Sequence, residues 1–228
     1  MNSALKEFLK RSFTAGILIF CFGGAYLHSV MLFTFLLLAI LLLVVFFEWP
    51  KLVDTSNRLY FVGITLLYPV FPALSLVYLN LRYHDTNMLL PVYPFVVAFV
   101  YDTLGYIVGK LVGKHKICPT ISPGKTWEGL LGSFGGVLIL NLLLLPHIQV
   151  HPFGYIAHSM FWTVILSFIF TQLAFWGGML MSYLKRRKGL KDAGNVLPGH
   201  GGFLDRGDSV LVLALGTWAV LLIGVWIR

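Results

Sequence analysis

Long apolar runs separated by short polar breaks restrict what this 228-residue chain can fold into. Hydrophobic residues make up 58% of the sequence and charged residues only 11%. A helix needs about 20 apolar residues to cross the hydrocarbon core of a bilayer. Several such runs in one chain are not typical of a water-soluble domain. We therefore predict an all-α fold, a polytopic integral membrane bundle of about seven transmembrane helices.

Seven apolar runs define the predicted spans. In chain order they are about residues 13–28, 30–47, 59–79, 88–112, 126–145, 156–184 and 208–227. Basic residues before the first run resemble the start of a signal peptide, but no small-residue cleavage site follows, so we expect a retained first helix. Trp49 and Pro50 are predicted to end the second helix, because Trp favours the membrane interface and Pro breaks helices. We interpret the neighbouring Glu48 as a solvated or lipid-headgroup residue.

The distribution of lysine and arginine predicts the orientation of these helices. With a cytoplasmic N-terminus, all of the 17 lysines and arginines except Arg82 and Arg228 fall on the cytoplasmic side. Cytoplasmic loops of membrane proteins carry this excess of positive charge. Topology and anionic lipid thus explain the formal net charge of +8, and we expect the lipid bilayer, with no nucleic acid, as a partner.

The polar motifs suggest a division of the chain into two parts. We expect an N-terminal transmembrane hairpin, residues 1–58, and a catalytic transmembrane bundle, residues 59–228, that carries the motifs. Pro69 and Pro72 in the first span of the bundle predict a helix kink.

Charge and glycine are densest between Ser182 and Ser209. Within this segment we single out a group of basic side chains, three closely spaced glycines and the pair of carboxylates at the far end: Lys185, Arg186, Arg187, Lys188, Lys191, Gly199, Gly201, Gly202, Asp205 and Asp208. Cationic side chains neutralise phosphate oxygens, glycine turns aim backbone N–H groups into one concavity, and paired carboxylates hold a hard divalent cation. The combination favours a polyphosphate with its metal. A basic loop that only sets topology would leave the glycines and aspartates unexplained.

A second polar group begins inside the fourth span, at Asp102. An ionisable side chain within a span is costly to desolvate unless it is paired or bound to a metal, so we predict a functional role for Asp102. Gly105, Gly109 and Gly113 recur every four residues along the same span. For these glycines we favour close helix packing over ligand binding.

The loop of residues 114–125 is basic and contains two prolines, and it leads into the fifth span. Lys125 at its end can reach a phosphate. Ser122 could cap the helix that follows, and Glu128 is expected in the first turn of that helix. Capping is therefore an alternative to substrate binding for both residues.

Together the two regions resemble the motifs of the phosphatidate cytidylyltransferases, the CDP-diacylglycerol synthases. The later motif positions are Ser182, Lys185, Arg186, Lys191, Asp192, Pro198 to Gly202, Asp205, Arg206 and Asp208. The earlier positions are Asp102, Tyr106, Gly109, Gly113 to Lys116, Ser122, Pro123, Lys125, Thr126, Trp127, Glu128 and Gly129. The resemblance covers about residues 98–210, and so many spaced positions seldom coincide by chance. It departs at Gly178, where many family members carry an aspartate.

The resemblance implies an enzyme that forms CDP-diacylglycerol and pyrophosphate from CTP and phosphatidic acid for phospholipid biosynthesis. It also implies a Mg²⁺ cofactor and a bacterial inner-membrane location with the active site on the cytoplasmic face; a second cation and a homodimer stay open. The implied catalytic residues are Lys125, Lys185, Arg186, Lys191, Asp192, His200 and Arg206. The implied substrate-binding residues are Ser122, Thr126, Glu128, Ser182, Gly199, Gly201 and Gly202, and the implied metal ligands are Asp102, Asp205 and Asp208. His200 either donates a hydrogen bond to the pyrophosphate or stiffens the glycine turn.

Two other classes of function are compatible with parts of this pattern. A catalytically degenerate family member that binds lipid or nucleotide would agree with the missing carboxylate at Gly178. A small membrane transporter would also use an intramembrane Asp102. Against transport, the chain has no second half that resembles the first, and its charges gather on one face of the membrane.

Overall fold

The computed structural model describes residues 16–18, 20–197 and 201–226. Within these ranges the chain is mostly helical, with one short two-stranded antiparallel sheet. In chain order the elements are α1 (Gly16–His28), α2 (Val30–Leu52), α3 (Arg58–Tyr83), α4 (Leu89–Leu111), β1 (Lys116–Cys118), β2 (Ser122–Thr126), α5 (Trp127–Leu144), α6 (Phe153–Ala157), α7 (Met160–Arg187) and α8 (Leu204–Trp226).

In the part of the chain that the structure describes, six helices are long and apolar enough to cross a membrane: α2, α3, α4, α5, α7 and α8. The helix α1 is apolar but shorter. The prediction of a polytopic helical membrane protein is therefore confirmed. The cytoplasmic location of the N-terminus stays a prediction.

Two compact units make up the fold. Unit 1 comprises residues 1–81 and 184–207, and unit 2 comprises residues 82–183 and 208–228. The predicted division after residue 58 stays a prediction.

Buried polar side chains join α2 to α3 within unit 1. The Asn80 amide donates hydrogen bonds to the Val30 carbonyl and the Thr34 hydroxyl, each at 2.9 Å. The Trp49 indole N–H donates to the Thr65 hydroxyl at 2.9 Å. Because a buried polar group without a partner is costly, these bonds favour one register of the two helices.

The prediction that the second helix ends at Trp49 and Pro50 is wrong. A π-helical turn, Val44–Glu48, is followed by a last helical turn, Trp49–Leu52, with Pro50 among its first positions. Proline is tolerated in a first turn, because the backbone nitrogen there has no intrahelical acceptor. The helix therefore continues to Leu52, and the Trp49 side chain, only 1% exposed, packs inside unit 1.

The predicted kink in α3 is confirmed. A π-helical turn, Leu66–Val70, surrounds Pro69, and Tyr68 leaves the helical region of backbone space with φ −153° and ψ 123°. Proline removes a backbone donor and crowds the preceding turn, which accounts for the kink.

Glycines bring α4 and α5 together in unit 2. A Cβ atom at Gly129 would lie 2.7 Å from the Gly105 carbonyl oxygen and 3.3 Å from the Gly109 Cα. A side chain at this position would force the two backbones apart. The packing role predicted for Gly105 and Gly109 is thus confirmed, and this close contact fixes the helix that carries Asp102 against the start of α5.

A chain of buried hydrogen bonds crosses the core of unit 2. The Tyr93 hydroxyl of α4 donates to the Asn141 side-chain oxygen of α5 at 2.8 Å, and the Asn141 amide donates to the Ser167 hydroxyl of α7 at 2.9 Å. A fully satisfied polar network of this kind specifies one arrangement of three helices.

The basic loop of residues 114–125 contains a short hairpin, β1 paired antiparallel with β2. The strand β2 continues to Thr126, whose hydroxyl accepts the Gly129 N–H at 3.1 Å and caps α5. Capping of this helix, the alternative role considered for Ser122, is therefore wrong, and a substrate-binding role for Ser122 stays a prediction. Ser122 begins β2, and a cap must immediately precede the first helical residue.

Candidate functional site

The predicted site residues fall into two groups, one in each compact unit. Unit 2 holds Asp102, Ser122, Lys125, Thr126, Glu128, Ser182 and Asp208. Unit 1 holds Lys185, Arg186, Lys191, Asp192, Gly201, Gly202, Asp205 and Arg206. The predictions for Gly199 and His200 concern positions outside the described residues.

A cleft of about 200 Å³ in unit 2 brings the earlier motif positions together. The polar and aromatic side chains that line it are Tyr101, Asp102, Tyr106, Lys125, Thr126, Ser133 and Phe175. The Ser133 hydroxyl donates to the Tyr101 carbonyl at 2.7 Å, which ties α5 to α4 beside Asp102. The wall of the cleft is therefore held by helix packing, and its charged side chains project from that wall.

Lys125 is the cationic side chain among the residues that line this cleft. Its ammonium group donates to the Phe175 carbonyl at 3.2 Å and lies 4.9 Å from the centre of the Phe175 ring. Burial lowers the pKa of the Lys125 ammonium from its ordinary value, and the charges of Asp208 and Asp102 act in the opposite direction. Lys125 is thus a partly desolvated cation close to two carboxylates, where its attraction for an anionic ligand is stronger than in water.

Gly178 leaves space beside this charged group. A Cβ atom at Gly178 would lie 2.8 Å from the Lys125 ammonium nitrogen and 3.8 Å from the Asp208 Oδ2 atom. A carboxylate at residue 178 would therefore meet Lys125 and Asp208. One turn later on α7, the Ser182 hydroxyl donates to the Gly178 carbonyl at 2.8 Å, and its oxygen can still accept a hydrogen bond.

Glu128 links the hairpin to α5. It lies in the first turn of α5, as predicted, and its Oε1 atom is 2.6 Å from the His115 Nδ1 atom. The same carboxylate accepts the His115 backbone N–H at 3.2 Å. These contacts join the residue directly before β1 to the first turn of α5, which follows β2. A substrate-binding role for Glu128 and for the buried cap Thr126 stays a prediction.

In unit 1, Asp205 is the centre of a hydrogen-bonded cluster. It lies in the first turn of α8, and its Oδ1 atom accepts the Lys185 ammonium at 2.7 Å. Its Oδ2 atom accepts the Ala193 N–H at 2.7 Å and the Gly202 N–H at 3.0 Å. Only 5% of the Asp205 side chain and 16% of the Lys185 side chain are exposed. One carboxylate therefore ties the end of α7, the following loop and the start of α8 to each other.

The backbone around Asp205 requires glycine at residue 201. Gly201 has a φ of +85°, which L-residues with side chains rarely adopt, and its Cβ would lie 3.0 Å from the Asp205 Oδ2 atom. The Gly201 carbonyl also accepts the Leu197 N–H at 2.8 Å. The glycine thus permits the backbone conformation found at residue 201, shortly before α8.

The other cations of this group lie at the surface of unit 1. Arg186, Lys191 and Arg206 are exposed, as is Asp192. Their predicted roles in binding phosphate remain predictions.

Glu48 is the residue that the sequence interpretation misplaced. The prediction of a solvated or headgroup-facing side chain is wrong, because Glu48 is 0% exposed. Its two carboxylate oxygens accept the backbone N–H groups of Phe203 and Leu204, each at 2.8 Å. The only signal in the sequence was an acidic residue at the edge of an apolar run, and that signal does not distinguish a solvated from a buried carboxylate.

The donor atoms differ in how well they suit a metal ion. Among the described residues, no group of three or more His, Cys, Asp or Glu side chains is arranged to hold one. Asp102 and Asp208 supply hard oxygen donors near one cleft, and Mg²⁺ is commonly bound by one or two carboxylates together with substrate phosphates and water. Both oxygens of Asp205 already accept N–H or ammonium donors. Asp208 Oδ1 likewise accepts the Ser209 N–H at 2.7 Å. The roles of Asp102, Asp205 and Asp208 as metal ligands stay predictions.

Comparison with known proteins gives consistent matches. The model of the Cytidylyltransferase family matches residues 6–223. A phosphatidate cytidylyltransferase of Rickettsia typhi is 32% identical over 169 residues, which cover 73% of this chain and 72% of the relative. Those of Staphylococcus aureus strain COL and Staphylococcus haemolyticus are 43% and 44% identical over 119 residues, 52% of this chain. The matched part of this chain covers 44% of the length of each staphylococcal relative.

Proposed function

The chain belongs to the Cytidylyltransferase family, and from this premise we propose that it transfers the cytidylyl group of CTP to phosphatidate, forming CDP-diacylglycerol and pyrophosphate. The names of its relatives support this choice of substrates. We place the reaction in a bacterial inner membrane, at its cytoplasmic face, where the soluble nucleotide meets the lipid.

The observation that carries the proposal is the charge arrangement at the unit 2 cleft. The partly desolvated Lys125 ammonium lies near the carboxylates of Asp102 and Asp208. A cation and a pair of carboxylates are what a magnesium-bound triphosphate requires, since the cation contacts phosphate oxygens and the carboxylates contact the metal.

The reaction needs no activated protein nucleophile. A phosphate oxygen of phosphatidate is already anionic, and it attacks the α-phosphorus of CTP. A new P–O bond forms there, the bond between the α-phosphorus and its bridging oxygen breaks, and the electron pair leaves with pyrophosphate. The protein has to align two anionic substrates and offset the charge that develops on the equatorial and leaving oxygens.

Lys125 offsets part of that charge. Because it is partly buried beside the Phe175 ring, its ammonium contributes more to binding an anion than a fully solvated lysine would. Asp102 and Asp208 would hold Mg²⁺, which when bound neutralises phosphate oxygens and aligns them. In unit 1, the side chains of Lys185, Arg186, Lys191 and Arg206 are positively charged, and the proposed role of each is to bind phosphate. In unit 2, the Ser182 hydroxyl oxygen can accept a hydrogen bond from a substrate.

A catalytically degenerate protein that binds CTP or lipid without turnover is the second candidate. It is favoured by one observation, the absence of a carboxylate at Gly178, directly beside Lys125 and Asp208. Fewer acidic ligands generally weaken the binding of a divalent cation.

The proposal is tested by incubating purified protein in lipid nanodiscs with phosphatidate and CTP labelled at the α-phosphate, over a range of Mg²⁺ concentrations. We expect labelled CDP-diacylglycerol and an equal amount of pyrophosphate. Lys125→Met should lower kcat/KM by about 10²- to 10³-fold, the usual cost of removing one preorganised electrostatic contact. Lys51→Met removes the same charge from an exposed position and serves as the control.

Two results would contradict the proposal. One is CTP binding without product at any Mg²⁺ concentration, which would favour the degenerate binder. The other is equal activity of the Lys125→Met and Lys51→Met proteins, which would remove Lys125 from the reaction.

A further inference from the structure

We infer that Glu48 is a positioning residue, which orients Asp205 and Lys185 by capping α8 from a distant part of the chain. Glu48 belongs to the N-terminal half of unit 1, outside both motif regions. The orientation it provides matters for catalysis only if Lys185 binds a substrate phosphate, so this inference rests on the proposed function.

The first step of the argument is the pair of hydrogen bonds between Glu48 and the start of α8. Oε1 accepts the Phe203 N–H and Oε2 accepts the Leu204 N–H, each at 2.8 Å, across 155 and 156 residues of sequence. The first N–H groups of a helix have no intrahelical acceptor, and a negative charge at this end is favoured by the helix dipole. Phe203 directly precedes the helix and has no side-chain acceptor, so Glu48 supplies the missing cap.

The second step is the shape of the chain around the Glu48 carboxylate. A Cβ atom at Gly202 would lie 2.6 Å from the Glu48 carboxyl carbon, and one at Gly194 would lie 3.0 Å from its Cγ atom. Two separate parts of the loop thus approach the same side chain, and a side chain at residue 194 or 202 would crowd Glu48. The loop between α7 and α8 therefore packs closely against the Glu48 side chain at residues 194 and 202.

The third step connects this cap to the charged cluster. Gly202, Phe203 and Leu204 are consecutive, and Asp205 follows them in the same turn. The Gly202 N–H is held by Asp205 Oδ2, while Asp205 Oδ1 holds the Lys185 ammonium. A shift of residues 203 and 204 would therefore move the carboxylate that positions Lys185.

The Glu48 carboxylate differs from an ordinary helix cap because it is fully buried. A carboxylate that is taken out of water loses much hydration energy, which its hydrogen bonds must offset. Two backbone N–H donors to two oxygens meet this requirement with defined directions. A glutamine at residue 48 keeps the size but presents an amide NH₂ group to one of the two donors.

The test uses the full-length protein with Glu48→Gln, and with Asp54→Asn as a matched control. Asp54 is an exposed carboxylate shortly after α2 that accepts the Ser56 N–H at 3.0 Å. Hydrogen exchange is followed by mass spectrometry on peptides that contain Phe203 and Leu204 and on peptides from α2 and α3. KM and kcat are measured for both CTP and phosphatidate.

In Glu48→Gln we expect amide exchange at residues 203 and 204 to rise about 10- to 100-fold, the change that corresponds to losing one hydrogen bond to a charged group. Exchange in α2 and α3 should stay native. The KM of the substrate whose phosphate Lys185 contacts should rise at least about tenfold, with kcat changed less. Asp54→Asn should leave exchange and both KM values unchanged.

A cap that only stabilises the fold would reduce the folded fraction, and so lower the apparent kcat without moving KM. That kinetic result, or native exchange at residues 203 and 204, would overturn the inference. Exchange does not depend on turnover, so the two proposals can fail separately. If the native protein forms no CDP-diacylglycerol but Glu48→Gln still raises exchange only at the start of α8, the proposed function fails and the capping part of the inference stands.

Discussion

Replacing Asp205 with asparagine tests whether its carboxylate is chiefly a structural centre or a metal ligand. The native side chain accepts three donors, the Lys185 ammonium and the N–H groups of Ala193 and Gly202. Asparagine keeps the shape, but it has one acceptor oxygen, and its NH₂ group would face a donor. It also leaves the Lys185 charge without its partner.

The expected loss of stability follows from burial. Removing one partner of a fully buried ion pair destabilises a protein by about 3–5 kcal/mol, because the remaining charge is left uncompensated. Asp205 is 5% exposed, but Lys185 is 16% exposed and can reach some water. We therefore expect a loss near the lower limit, about 3 kcal/mol. For a chain of this size, such a loss lowers the thermal midpoint by roughly 6–12 °C.

The assay is thermal unfolding in detergent of the native protein, Asp205→Asn, Lys185→Met and the double variant. We expect a coupling energy of at least about 1.5 kcal/mol, because the double variant no longer buries an unpaired charge. Asp85→Asn is the control. Asp85 contacts His84 at 3.2 Å but is 88% exposed, so its loss should barely move the midpoint.

Two results would refute the reasoning. A coupling energy below about 0.5 kcal/mol would show that Lys185 and Asp205 do not act as a pair. Repeating the scans with Mg²⁺ gives the second test. If Asp205 is structural, Mg²⁺ should shift the midpoints of the native protein and Asp205→Asn equally. Loss of the shift only in Asp205→Asn would make Asp205 a metal ligand.

Three further predictions concern other parts of the chain. Gly178→Asp places a carboxylate beside Lys125 and Asp208, so the Mg²⁺ concentration for half-maximal activity should fall; an unchanged requirement would contradict the role assigned to this space. Thr126→Ala removes the cap of α5 and should cost about 1 kcal/mol in thermal unfolding, whereas Thr126→Ser, which keeps the hydroxyl, should cost less. The third prediction uses a protein without its native cysteines, in which single cysteines replace Gly124, Lys188 or Gln149. Cysteines at residues 124 and 188 should react with an impermeant reagent from the cytoplasmic side, and one at residue 149 should react from the opposite side. Labelling of residues 124 and 188 from different sides would refute the predicted orientation.

Hydropathy and local chemistry were enough to predict the structural class of this protein. The length of an apolar run decides whether a helix can cross a bilayer, so α2, α3, α4, α5, α7 and α8 follow from composition alone. The kink at Pro69 and the close helix packing at Gly105 and Gly109 also follow from residue type, because proline lacks a donor and glycine lacks a side chain. The motif residues are equally local, since their spacing is visible in the sequence.

The partner of each buried charge was decided by the tertiary structure. Glu48 stands at the edge of an apolar run, as a solvated carboxylate would, yet its partners, Phe203 and Leu204, are backbone groups 155 and 156 residues away. The same holds for Asp205, whose oxygens meet a lysine 20 residues earlier and two backbone N–H groups. A carboxylate has the same local sequence signal whether it binds a metal, a cation or a helix end. Its actual partner depends on which donors the folded chain places near the carboxylate and on how far the surrounding structure excludes water.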